Sequence, residues 1–184
     1  MGRPKKFSRE GVLEKVIPVF WEHGFAGTRL PDLELASGVN KSGLYSEFKD
    51  KEDLFLASLS YYLENRGGRA LLFAEPLGWD NIDRFLRMAD GGFDGKRGCF
   101  SVNSMREFAD LPTEAQKIVA EGRSLIKALL IDNIRAAGPK APAETIAEMV
   151  LVFFSGICIE QNLDEAEETS SRKIDNFMQV VRSL

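Results

Sequence analysis

The sequence predicts an all-α protein, with a small three-helix unit over residues 1–50 and a larger helical region over residues 51–184. Three observations point there. Apolar residues recur at helical spacing along most of the chain, no stretch alternates with the period of a strand, and capping residues stand at short intervals through the first fifty positions. A chain of 184 residues with 44% hydrophobic content is long enough to bury a core. Its best candidate for a membrane span, MVLVFFSGICI at 149–159, has only 11 residues between acidic flanks and reads as a buried helix.

The first helix begins after Ser8, a suitable cap, and carries Val12, Leu13, Val16, Ile17, Val19 and Phe20 on one face. Pro18 predicts a kink inside it, while His23 and Gly24 form its stop, a helix-end cation followed by a left-handed cap. Thr28 is the expected cap of a second helix, RLPDLELAS, with Pro31 in its first turn and Leu30, Leu33 and Ala36 facing inward. Gly38 and Val39 turn the chain, and Asn40 caps the third helix, KSGLYSEF. Asp50 caps a fourth, with Asp53 in the place of a capping-box partner. Two short helices joined by a turn containing glycine form the helix-turn-helix pattern. Further helices are expected over 51–74 (interrupted at Gly67 and Gly68), 81–89, 99–110, 113–137, 143–163 and 171–184, with a loop over 90–98.

Charge is unevenly placed. Residues 1–9 carry +4, residues 10–55 carry −4 and the remainder carries −4. A basic tip on an acidic body disfavours non-specific polyanion binding by the whole surface and permits a small local contact with phosphate, through Arg3, Lys5 and Lys6. The start, MGRPKKFSRE, lacks the apolar segment of a secretory signal. Cys99 and Cys158 are too few for a disulfide framework or a thiolate metal site, and together these features predict a cytoplasmic setting. His23 is the only histidine, so a multi-histidine metal site or a Cys-His nucleophile pair is not expected. With no paired acid–base constellation or phosphate loop either, neither an enzyme nor a bound cofactor is expected.

The third helix suits a major groove. Ser42 and Gly43 allow close approach of its backbone, Lys41 offers a cation, and Tyr45 offers a hydroxyl to phosphate. Thr28 and Lys51 stand at the starts of flanking helices, where free N–H groups attract phosphate. Val39, Leu44 and Phe48 would hold this helix to its scaffold. Three amphipathic helices in any bundle, with Lys41 merely solvated, account for the same pattern.

A longer run decides between these readings. GFAGTRLPDLELASGVNKSGLYSEFKDKEDLF, residues 24–55, resembles the DNA-binding signature of the TetR/AcrR family of bacterial transcriptional regulators. The matching parts are GF.GT at 24–28, GV.K..LY..F at 38–48 and KE.LF at 51–55, and GRPKKF at 2–7 resembles the basic arm of many members. The resemblance implies a homodimeric, mostly repressive regulator that binds a double-stranded DNA operator and whose C-terminal ligand-binding and dimerisation domain takes a small-molecule inducer. It matches Thr28, Lys41, Tyr45 and Lys51 to DNA-contacting positions. Glu47 departs from it, since many members carry His or Tyr there, and this leaves the operator sequence open.

Beyond residue 55 the reading is less specific. RGCFSVNSMREFADL at 97–111 resembles a stretch in one branch of the family, some of whose members sense reactive electrophiles. Cys99 is thus either a sensing thiol, activated by Arg97 and a helix N-terminus, or a small buried residue at a helix start. Cys158 and Trp21 read as core. Phe73, Trp79, Phe85, Phe100, Met105 and Phe108 are expected to line a cavity to which Asn103 and Glu107 give polar groups, although plain packing explains each singly. A two-fold dimer reads two half-sites, and its surface is expected on the last two helices. Met149, Phe153 and Gly156 supply one side of it, and the stripe Ile174, Phe177, Met178 and Val181 the other.

Overall fold

A computed structural model describes residues 7–90, 98–161 and 167–184, the side chains of 167 and 168 excepted. The described residues fold into α-helices and one 3₁₀ segment, without strands. Helices α1 (Arg9–Gly27), α2 (Leu30–Ser37) and α3 (Lys41–Glu47) form the N-terminal unit. They are followed by α4 (Lys51–Asn65), α5 (Gly68–Phe73), α6 (Trp79–Arg87) and α7 (Phe100–Ser104), which runs into the 3₁₀ segment Met105–Asp110. Then come α8 (Thr113–Ala136), α9 (Ala143–Glu160) and α10 (Glu167–Val181), the last starting four residues earlier than the sequence suggests.

Three expected caps form. Ser8 accepts from the Gly11 N–H at 3.0 Å, Asn40 from Gly43 at 2.9 Å and Asp50 from Asp53 at 2.8 Å. Asp53 reaches back to the Lys49 N–H at 2.9 Å, one residue before the position a capping box would use. Two expectations fail. Pro18 sits in α1 without leaving helical dihedrals, and the helix breaks only at the expected stop, Gly24, in an extended positive-φ geometry (φ 70°, ψ 177°) rather than a left-handed helical one. Val16 and Ile17 are wholly buried around the proline, so packing outweighs the lost N–H, while only glycine accepts the Gly24 geometry at little cost. Thr28 does not cap α2: it is buried and its hydroxyl donates to the Gly24 carbonyl at 2.6 Å. Arg29 is the residue before α2, and Asp32 accepts from the Arg29 N–H at 2.9 Å.

Helix α4 ties the chain together, packing on α1 along one side and on α8 along another. At this junction Phe20 meets Phe55 edge-on at 5.0 Å, Trp21 meets Tyr62 at 5.4 Å and stacks on Phe100 at 5.9 Å. Burial of each such ring contributes roughly 1.5–3 kcal/mol, so α1, α4 and α7 share one apolar core. Helix α6 is held to α10 by Arg87, which pairs with Asp83 at 2.9 Å and Asp175 at 2.5 Å. The two carboxylates raise the guanidinium's pKa further, chiefly through the Asp83 hydrogen bond.

Candidate nucleic-acid interface

Helix α3 has seven residues, and its identity depends on what it buries. Leu44 is fully buried on its inner side, and Val39 before it and Phe48 after it are buried too. The opposite side presents Lys41, Ser42 and Ser46 to solvent, with Tyr45 half-buried beside them. The Lys41 ammonium lies 5.9 Å from the Tyr45 ring centre, and its backbone N–H donates to the Glu34 carboxylate of α2. Arg9 braces the far end, donating to the Glu47 carbonyl at 2.6 Å while its guanidinium covers the Phe48 ring at 4.2 Å. The result is a short helix fixed at both ends with a polar, small-residue front.

Several expected contacts are placed differently. Thr28, being buried, offers no hydroxyl to a phosphate. Lys51 is half-buried, and its ammonium donates to the carbonyls of Phe25 at 2.8 Å and Thr28 at 3.0 Å while lying over the Phe25 ring at 4.5 Å. It staples α4 to the turn between α1 and α2 and is no free cation. Gly43 serves the fold itself: a Cβ there would come 2.6 Å from Val39 Cγ1, so α3 packs on its own turn only without a side chain. Arg3, Lys5 and Lys6 lie outside the described residues. Arg29, the residue before α2, and Lys49, between α3 and α4, are exposed too, and the sequence did not single them out because they fall between the matching parts of the signature.

The larger region encloses a cavity of about 330 Å³ between α4, α7, α8 and α9. Phe85, Cys99 and Met105 line it; Phe73, Trp79, Phe100, Asn103 and Glu107 do not. Phe73 is 61% exposed, Phe100 belongs to the aromatic core, and Trp79 borders a separate shallow cleft. Glu107 turns away from the cavity and accepts from the Phe25 N–H at 2.5 Å and the Ala26 N–H at 3.4 Å. Its segment follows α7, a cavity wall, so this carboxylate links that wall to the end of α1. Cys99 and Cys158 are both buried and free. Burial pushes the Cys158 thiol far up, with a further contribution from Cys99 nearby. The phenol of Tyr62, next to Cys99, is likewise raised well above its ordinary value by burial.

On the last two helices the apolar stripe is divided. Ile174, Met178 and Val181 are buried in the chain's own core and leave the expected contact surface. Phe177 stacks flat on Phe153 at 3.8 Å, joining α10 to α9. The outward apolar residues of these two helices are Met149, Val152 (67% exposed), Ile159 and Val180 (54% exposed), and a Cβ added at Gly156 would meet nothing within 4 Å.

Comparison with known proteins places these features. Residues 13–58, from α1 to the first half of α4, match the family described as bacterial regulatory proteins, tetR family. Over 109 residues the chain is 38% identical to the transcriptional repressor ComR of Escherichia coli K12, covering 56% of this chain and 52% of ComR. Over 71 residues it is 39% identical to the uncharacterised regulator YezE of Bacillus subtilis, covering 39% of this chain and 37% of YezE. The chain thus matches about half the length, or less, of these curated relatives. Its fold is shared with a cysteine-substituted variant of the tetR-family regulator CifR in complex with 26-base-pair operator DNA (TM-score 0.80, 21% identity, 96% of this chain and 98% of CifR). Reduced NemR of E. coli is similar too (TM-score 0.77, 20% identity, 94% and 95%). The family match falls on the helices whose buried anchors and polar front were traced above, and residues 13–58 belong to the tetR family of bacterial regulatory proteins.

Proposed function

We propose that this protein is a homodimeric transcriptional repressor that binds a palindromic operator through α3 and leaves it when a small molecule fills the cavity. Residues 1–50 would read DNA, and residues 51–184 would hold the ligand and the second subunit. The observation that carries the reading is the front of α3, where Lys41, Ser42 and Tyr45 stand on a helix locked by Leu44 and Phe48. Major-groove readers present a second helix in this way. ComR is named a repressor, and CifR was captured on operator DNA, which supports the same direction. Among the described residues no helix is long and apolar enough to cross a membrane, which fits a cytoplasmic regulator.

The proposed dimer uses the outward faces of α9 and α10, around Met149, Val152, Gly156 and Val180. Phe153 and Phe177 stack on each other and join the two helices. The test has two arms. A gel shift with the DNA upstream of its own coding sequence should show a retarded complex that Lys41→Ala and Tyr45→Phe weaken; an unshifted probe, or mutants binding as well as wild type, would count against DNA reading by α3. Val152→Glu with Met149→Glu should run as a monomer by light scattering while keeping its helical circular dichroism. A folded double variant that remains dimeric would remove this surface.

A second reading has one observation in its favour. Cys99 is buried in the cavity wall at the start of α7, where an electrophile entering the cavity would meet it. If it senses, Cys99→Ser abolishes release by thiol-reactive compounds and leaves DNA binding intact. Release that persists in Cys99→Ser assigns the response to non-covalent filling alone.

A further inference from the structure

The charges around the cavity are sorted by depth. Glu64, Glu121 and Arg69 stand at its rim, exposed to solvent. Only Arg66 and Arg123 are half-buried against its walls, and both are cations. The Arg66 guanidinium is occupied: it donates to the carbonyls of Met88 and Gly98, the latter at 2.8 Å, and faces the Tyr62 ring at 5.6 Å. Arg123 differs. Among the described residues its one hydrogen bond is to the Ser155 hydroxyl, at 3.5 Å, the limit of such a contact. That hydroxyl donates to the Leu151 carbonyl at 2.8 Å and keeps its lone pairs, so it is the 3.5 Å distance that leaves the guanidinium weakly held.

A guanidinium carries five N–H donors in a planar fork suited to a carboxylate. Drawing one partly out of water without an anion costs free energy that a ligand can recover. The remaining walls are apolar, with Leu63, Val102, Ile126 and Phe154 among them. We propose that the cavity takes a monoanionic amphiphile, an apolar body ending in a carboxylate held bidentately by Arg123. This deepens the ligand-response reading and rests on it for its regulatory meaning, though not for binding itself. At interior packing density a cavity of this size, about 330 Å³, holds on the order of a dozen non-hydrogen atoms.

The experiment compares three probes of one chain length, decanoate, decan-1-ol and decylamine, by calorimetry on the full-length protein at neutral pH. Decanoate should bind at least tenfold more tightly than decanol, and decylamine more weakly than either. In Arg123→Gln the preference for decanoate should vanish while decanol affinity stays as in wild type, and Arg123→Lys should restore part of it. Equal affinities in wild type, no binding by any probe, or a preference surviving in Arg123→Gln would each overturn the proposal. Operator release is measured separately with the same probes. Decanoate that binds through Arg123 without releasing DNA upholds the site and refutes the ligand-response reading.

Discussion

Helices α3 and α9 both carry apolar residues, yet the outward face of α3 can be read from its sequence and that of α9 cannot. In α3 the single buried side chain, Leu44, is set among small and polar neighbours, so its inner and outer faces are fixed by composition alone. In α9 eight residues are buried while Met149, Val152 and Ile159 are exposed. A helix apolar all round has no face that sequence can single out. Its outward surface emerges only once the partners α8, α7 and α10 are in place. An outward face made of polar exceptions is therefore readable early, and one made of surplus apolar residues late.

The largest expected effect tests this contrast in stability. Leu44→Ala removes a fully buried anchor and should cost about 2–5 kcal/mol. Val152→Ala, at 67% exposure, should change unfolding of the isolated chain by no more than about 0.5 kcal/mol. Urea midpoints at matched concentrations measure both. Similar losses in the two variants would mean that Val152 is already covered within the chain.

How much was legible follows the same line. The helices, the caps at Ser8, Asn40 and Asp50, and the anchors Val39, Leu44 and Phe48 were read from local pattern, because each depends on residues within one turn. Thr28 and Lys51 have partners the sequence did not show, carbonyls brought near where the chain turns after Gly24; the stop at Gly24 was legible from local pattern, the path beyond it was not. The cavity residues were the least legible. Phe73, Phe85 and Phe100 are the same residue type, and only the packing of α4, α7, α8 and α9 sends one to solvent, one to the cavity and one to the aromatic core. The stripe Ile174, Met178, Val181 was correctly seen as one face, but core and interface ask for the same spacing.

The next effect concerns the link between the two regions. Glu107 accepts two N–H groups from the turn after Gly24, one of them at 2.5 Å. Hydrogen bonds to a charged acceptor are worth about 1.5–3 kcal/mol. Glu107→Ala should lose stability in that range, and hydrogen exchange at Phe25 and Ala26 should quicken more than in α3. Should exchange stay unchanged at those two amides, the carboxylate would be no clasp between the wall after α7 and the end of α1.

The smallest effect separates two lysines that sequence treated alike. Lys41 is exposed on the front of α3, whereas the Lys51 ammonium is engaged by the carbonyls of Phe25 and Thr28. Each phosphate neutralised by a cation adds about one unit to the slope of log affinity against log salt. Lys41→Ala should thus flatten that slope by about one unit, with almost no change in thermal stability. Lys51→Met keeps the apolar stem over Phe25 but frees two carbonyls, and should destabilise the fold by about 1–2 kcal/mol. Its operator affinity should fall by a similar factor at every salt concentration, because the α1–α2 turn loses its brace while the number of phosphate contacts stays the same. Parallel slopes for wild type and Lys51→Met, with a shallower one for Lys41→Ala, are the expected result. A slope that drops in Lys51→Met would show that this ammonium leaves its carbonyls to reach the phosphate when DNA binds.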